Sequence, residues 1–200
     1  MGSSPGRSLR VVLLVVALAG ACSGGKTAKG AGGGAGSTVA PAAAATFTVT
    51  GTDVQAMAPQ APGFPADVSA AVKTSLDTWL GAGVVGPLQS GKPSSGLEPV
   101  FTAPAIARLS APGPERAAMI EEGTPLHGQV HQDRANVKLT ALTAPDGGAV
   151  LVTAQVDVSH TVTAASGVVA VVRSGELVLV PDRGTWRIDA FDMVTKRAKP

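Results

Sequence analysis

The three histidines are the first residues to consider for chemistry, because imidazole is the commonest metal ligand and general acid–base group in proteins. His127 and His131 are four residues apart. The segment around them is typical of loop or extended chain, in which that spacing puts the side chains about 13 Å apart, too far for one ion. His160 follows Asp157 and Ser159, and strand alternation points its ring away from both. The sequence therefore predicts neither a metal site nor a catalytic triad.

Asp192 is the candidate carboxylate for general base chemistry. By alternation it shares one face of the last predicted strand with Trp186, Ile188 and Ala190, which would turn it toward the concave side of a curved sheet. A carboxylate buried there would be a candidate base. The alternative, in which this end of the strand is exposed to solvent, is the favoured one. No catalytic residue and no cofactor are therefore predicted.

The large aromatic residues are expected either in the core or in the wall of a pocket. Trp79 lies on the apolar side of a predicted helix, and Trp186 lies beside Ile188 on a predicted strand. Phe101 belongs to an apolar segment with helical spacing. We interpret both tryptophans as core anchors whose indole N–H groups have partners, and a pocket wall is the alternative.

The N-terminus is typical of a secretory signal peptide over residues 1–21. Arg7 and Arg10 precede nine uninterrupted apolar residues, and small residues follow them. A helix that spans a bilayer needs about 20 apolar residues, so this stretch is too short for a span. Cys22 comes directly afterwards and is the only cysteine, which leaves it no disulfide partner in an exported chain.

Residues 18–22, Leu-Ala-Gly-Ala-Cys, resemble a bacterial lipobox, in which the cysteine is lipidated and becomes the mature N-terminus. The usual pattern has leucine three residues before the cysteine, whereas Ala19 stands there and Leu18 is one step further away. The resemblance implies that Cys22 is lipidated and holds the protein stably on the membrane. The same small residues also fit an ordinary signal peptidase site, so secretion with a free Cys22 is the alternative.

The charge balance argues against nucleic acid as a partner. The chain has 16 Lys and Arg against 14 Asp and Glu, and Arg7 and Arg10 account for the excess. The chain from Cys22 onward is therefore neutral, which removes the electrostatic attraction on which nucleic-acid binding depends. Aromatic residues make up only 3% of the chain, so few side chains are available to stack on bases.

A tether and one folded domain are predicted after the signal peptide. Residues 22–45 are rich in Ala and Gly and contain no aromatic residue, so they favour a flexible tether. Residues 46–200 have the length of a single domain that can bury a core without a disulfide or a metal.

The first part of this domain is predicted to be mainly helical. The long helix has an apolar side at helical intervals, and Pro104 interrupts the two short helices that come next. The predicted elements are a short strand at 47–50, a long helix from Pro65 into the glycine-rich stretch 81–87, and short helices at 97–101, 106–109 and 114–122.

From Ala135 onward apolar residues recur at every second position, which predicts strands. Turn residues at 145–148 and 181–184 join the strands into hairpins, and Gly175 is expected to form a bulge. Four long antiparallel strands thus follow the helices. This order predicts an α+β domain whose sheet curls around the long helix.

The order of elements, together with the final hairpin from Gly175 to Phe191, resembles the NTF2-like superfamily of cone-shaped α+β domains. The resemblance covers residues 65–195. It implies a pocket between the helix and the concave sheet, which serves catalysis in some members and binding in others. The isomerase-type members rely on a tyrosine hydroxyl, and this chain contains no tyrosine.

The two resemblances together imply an exported lipoprotein of the type found in high-GC Gram-positive bacteria, anchored to the outer face of the cell membrane. We expect a non-enzymatic binding or scaffold module whose partner is an envelope protein or a small apolar ligand. One alternative is an enzyme or carrier that uses the pocket, with Asp192 or another carboxylate as the base. Another is a purely structural envelope component with a solid core.

Overall fold

A computed structural model describes residues 45–56, 63–122 and 126–199. The predicted signal peptide, Cys22 and the tether up to residue 44 lie outside the described residues. The elements, in chain order, are β1 (Thr48–Ala56), α1 (Ala66–Trp79), a π-helical segment (Leu80–Val85), α2 (Gly86–Ser90), α3 (Ala103–Ser110), α4 (Pro114–Met119), β2 (Gly128–Thr143), β3 (Ala149–Ala164), β4 (Gly167–Asp182) and β5 (Thr185–Ala198).

The strands form one five-stranded sheet in the order β1-β2-β3-β4-β5. Strands β2 to β5 are an antiparallel meander, as predicted, whereas β1 pairs with β2 in parallel. The α+β class is confirmed, but the prediction of four strands was wrong. The predicted short strand at 47–50 is the start of β1, which joins the sheet beside a strand that the chain reaches only after all the helices.

The sheet buries one face. Along β3 the residues Val152, Ala154, Val156 and Val158 are buried, and they belong to the same hydrophobic cluster as the apolar side chains of the helices. Their neighbours along the strand point the other way, because successive side chains alternate. The helices therefore cover one face of the sheet, and the other face is uncovered in the described part of the chain.

The helix that begins with α1 continues past its predicted end. Instead of ending in the glycine-rich stretch 81–87, the chain passes through the π-helical segment into α2, and it ends at Gly91 with φ 69°. Leu80, Val84 and Leu88 are all buried along this extension. Their burial outweighs the low helix propensity of the glycines.

The predicted helix at 97–101 was wrong. Phe101 instead forms a parallel β-bridge with Ile188. The Thr102 N–H donates to the Ile188 carbonyl at 3.0 Å, and the Ile188 N–H donates to the Val100 carbonyl at 2.8 Å. Residues 97–101 form only a turn, in which the Val100 and Phe101 N–H groups donate to the Leu97 carbonyl, and pairing with the edge of β5 satisfies the backbone groups that follow. Pro104 lies in the first turn of α3 and does not interrupt a helix.

The ends of α4 and β2 also differ from the prediction. Helix α4 ends at Met119, whereas it was predicted to run to residue 122, and Ile120 is extended. Strand β2 begins at Gly128, earlier than the predicted Ala135, so His131 lies within a strand. Polar residues fill the first half of β2 because much of it is exposed, which hides the apolar alternation.

Gly175 does not form the predicted bulge. It pairs in register with Val156 on one side and Met193 on the other. Its φ is 151°, and a Cβ there would lie 2.1 Å from the carbonyl oxygen of Asp192. Glycine is needed at this position because the backbone of β5 approaches closely.

We expect Gly175→Ala to lower the free energy of unfolding by at least about 2 kcal/mol, because alanine would be strained at this φ and would collide with β5. Urea denaturation measures the change. Gly81→Ala is the matched control, since nothing lies within 4 Å of its Cβ position and helical backbone favours alanine. Similar losses of stability in the two variants would contradict this account of Gly175.

Candidate functional site

The aromatic residues singled out in the sequence lie in the core between the helices and the sheet. Trp79 and Phe101 are fully buried, and Trp186 is 8% exposed. The indole N–H of Trp79 donates to the Met119 carbonyl at 2.9 Å, and its ring stacks on Phe47 with centroids 6.1 Å apart. The prediction that both tryptophans are core residues is confirmed, and that of an indole partner is confirmed for Trp79.

Asp192 is exposed on the uncovered face of the sheet. Its predicted shared face with Trp186 and Ile188 was wrong, because Asp189 is an extra residue in β5. The pairing steps from Ile188–Leu179 to Ala190–Val178 and leaves Asp189 without a partner in β4. One inserted residue reverses which side the following residues occupy.

Asp189, the extra residue that forms a bulge in β5, has a hydrogen-bond partner outside the sheet. The Thr102 hydroxyl donates a hydrogen bond to Asp189 Oδ1 at 2.7 Å. Thr102 is also the residue whose N–H donates to Ile188. The bulge in β5 therefore coincides with the place where the segment before α3 docks on the sheet edge.

The histidines do not come together. His131 is exposed on β2 with Nε2 at 3.8 Å from Asp133 Oδ1, whereas His160 is fully buried on β3. His127 lies against Gly91 at the end of α2. In the described residues, no group of three or more His, Cys, Asp or Glu side chains is arranged to hold a metal ion.

A polar cluster, which we call the Arg173 cluster, comprises the buried residues Glu121, His160 and Arg173 together with the exposed Arg197. Arg173 is fully buried and forms an ion pair with Glu121, and its Nε donates to the Ala118 carbonyl at 3.2 Å. Arg197 binds the other carboxylate oxygen of Glu121 at 2.7 Å. The cluster thus ties the segment after α4 to β4 and β5.

This cluster was not predicted from the sequence. The sequence pattern that could have indicated the cluster is an arginine at an inward position of a strand, since Arg173 lies on the same face of β4 as the buried Val171 and Leu177. The partner could not be inferred, because Glu121 is 52 residues away in sequence.

Burial is the main cause that lowers the pKa of His160 from 6.5 to about 4; the neighbouring Arg173 cation acts in the same direction, and Asp133 and Glu121 oppose it. Burial likewise lowers the pKa of Arg173, although the Glu121 carboxylate opposes this. Among the described residues, neither ring nitrogen of His160 has a hydrogen-bond partner. His160 is therefore neutral at pH 7, and a proton on it would be an uncompensated buried charge.

We expect stability to fall as the pH drops below 6.5. An unfolded His160 takes up a proton near pH 6.5, and the folded one does so only near pH 4. The stabilisation is therefore complete above pH 6.5 and decreases by about 1.4 kcal/mol per pH unit, about 3 kcal/mol in all. Urea denaturation between pH 4 and 7 measures it.

Two histidine variants isolate this contribution. His160→Leu should flatten the pH dependence of stability between pH 4 and 6.5, even if it changes stability at pH 7. His131→Gln removes an exposed histidine and should keep the slope of the wild type. An unchanged slope in His160→Leu would show that other groups cause the acid sensitivity.

The uncovered face of the sheet carries a row of four exposed side chains, which we call the central row. Lys138 on β2 pairs with Gln155 on β3, which pairs with Glu176 on β4, which in turn pairs with Asp192 on β5. Two grooves of about 520 and 460 Å³ adjoin the row, and the first three of these residues line both. Glu176 and Asp192 are like charges directly opposite each other, which destabilises a strand pair.

The charges near the central row are unevenly compensated. Arg134 and Asp157 form a two-contact ion pair, with both N–O distances at 2.8 Å. The stem of Lys138 lies beside Gly51 of β1, where it would be in ordinary van der Waals contact with a Cβ at that position. Lys138, Glu176 and Asp192 form no ion pair within the described residues.

Apolar residues also lie on the uncovered face. Leu142 and Leu151 are register partners and line one of the two grooves. Val178 is half-buried on β4, and Val194 on β5 is 52% exposed. The face therefore combines a charged row with partly exposed aliphatic side chains.

No protein-family model matches the chain, and no curated protein or solved structure is found to be similar to it. None of the helices in the described part of the chain has both the length and the apolar character required to cross a bilayer.

Proposed function

We propose that the chain is an exported lipoprotein, attached through Cys22 to the outer face of the cell membrane, whose domain acts as a non-enzymatic binding module for an envelope protein. The signal peptide features and the lipobox resemblance support the anchor. The order of a long helix, short helices and an antiparallel meander supports an NTF2-like relationship, and the parallel β1 strand would be an addition to the expected four strands.

One observation favours binding over catalysis. Large side chains occupy the space between the helices and the sheet, where Trp79, Leu76, Phe101 and Met119 are buried to 0% or 1% exposure. The opposite face carries the central row and its two grooves, open to solvent. A filled interior and an uncovered, partly charged face suit contact with a macromolecule better than enclosure of a small apolar ligand.

Native mass spectrometry of the purified full-length protein, followed by denaturing analysis of the same sample, tests the binding role. We expect the two masses to agree, because the core side chains fill the interior. A ligand of a few hundred daltons that is lost on denaturation would contradict this proposal. It would favour the alternative of an apolar ligand carrier or an enzyme.

Metabolic labelling with palmitate tests the anchor. We expect the wild type to be labelled and to remain with the membrane fraction, and Cys22→Ala to lose both properties, because Cys22 is the only cysteine in the chain. Ser23→Ala, which leaves the thiol in place, is the control and should behave like the wild type. Membrane retention of Cys22→Ala would show that lipid on this residue is not the anchor.

A further inference from the structure

We infer that a second copy of this chain docks on the uncovered face of the sheet, related to the first by a two-fold axis parallel to β3. This inference rests on the proposal that the uncovered face is a binding surface, and it names the partner. It depends on three features of that face: the symmetry of its charges about β3, the uncompensated charges of the central row, and the position of its aliphatic side chains.

The first feature is the position of Lys138 and Glu176 about the central strand. Strand β3 is the middle strand of five. Gln155 lies on it, with Lys138 directly opposite on one side and Glu176 directly opposite on the other. A two-fold rotation about an axis along β3 places Lys138 of one copy over Glu176 of the second copy, and reciprocally. The two Gln155 side chains meet at the axis, where amides can pair.

The second feature is the charge that one copy leaves uncompensated. Glu176 and Asp192 repel each other across β4 and β5, and Lys138 forms no ion pair within the described residues. In the two-fold arrangement each Lys138 ammonium lies against the acidic pair of the other copy. Sheets stack about 10 Å apart, which a lysine and a carboxylate side chain can span together. The other acidic residue near the axis, Asp157, is already held by Arg134.

The third feature is the aliphatic end of the face. Leu151 lies on β3, so the two copies of this residue approach each other at the axis, flanked by Leu142 on β2. These side chains exclude water beside the ion pairs. Five strands about 4.8 Å apart and about ten residues long offer about 800 Å² on each copy, which is the area of a standard stable interface.

Charge exchange tests the arrangement in the full-length protein, purified in detergent and examined by analytical ultracentrifugation over a range of concentrations. We expect a reversible dimer. Lys138→Glu and Glu176→Lys should each weaken the dimer at least about tenfold, because each puts like charges face to face. The double variant should recover most of the affinity. Lys92→Glu makes the same change of charge on an exposed loop residue and should leave the dimer unchanged.

Cross-linking tests the position of the axis. A short bis-maleimide reagent should cross-link Gln155→Cys into a symmetric dimer, because the two thiols face each other across the axis at the spacing of stacked sheets, about 10 Å, which is too wide for a disulfide. Thr78→Cys, exposed on α1, is the matched control and should give no more dimer than the wild type, in which Cys22 is the only cysteine.

Three outcomes would overturn the inference: a monomer at every concentration, a double charge variant no better than the single ones, or equal cross-linking from positions 155 and 78. A cross-link from Gln155→Cys to a different protein would overturn only the choice of partner, and the proposed binding role would stand. A bound small ligand in native mass spectrometry would overturn the proposed function whether or not the chain dimerises.

Discussion

One-sided burial of the sheet is the constraint on which the other features of the domain depend. Side chains alternate along a strand, so packing Val156 and Val158 against the helices forces Gln155 and Asp157 outward. The same register that closes the core therefore sets the central row. The same strand register determines which side chains form the core and which form the candidate binding surface. A slip of one residue in a strand would move its side chains from one face of the sheet to the other.

Arg173 is a charged residue on the buried face of the sheet, and its contacts account for the position of the segment that follows α4. A guanidinium there without a counter-charge would be strongly unfavourable, and Glu121 supplies the carboxylate. The Ala118 carbonyl accepts hydrogen bonds from Arg173 and from the Thr195 hydroxyl. Helix α4 therefore ends at Met119, since a further helical turn would carry Glu121 away from β4 and β5.

Local periodicity was enough to predict the α+β class, the buried side of α1 and two of the three hairpins of the meander, because each depends on residues that are neighbours in sequence. Contacts between distant segments decided the rest. The parallel pairing of β1, the bridge between Phe101 and Ile188, and the pair of Glu121 with Arg173 leave no periodic signal. The candidate site on the uncovered face was missed for a related reason, since exposed polar residues on strands carry little signal until the register aligns them.

The bulge at Asp189 connects the packing of the β5 edge with the arrangement of charges on the uncovered face. The segment at 100–102 pairs with β5 at Ile188, and Thr102 also binds the Asp189 carboxylate, so the extra residue is held where the segment docks. Covering that edge protects backbone groups that would otherwise be open to pairing with another chain. The inserted residue also turns Asp192 outward beside Glu176. Two like charges then share one row, and an opposing cation from another molecule is the simplest way to compensate them.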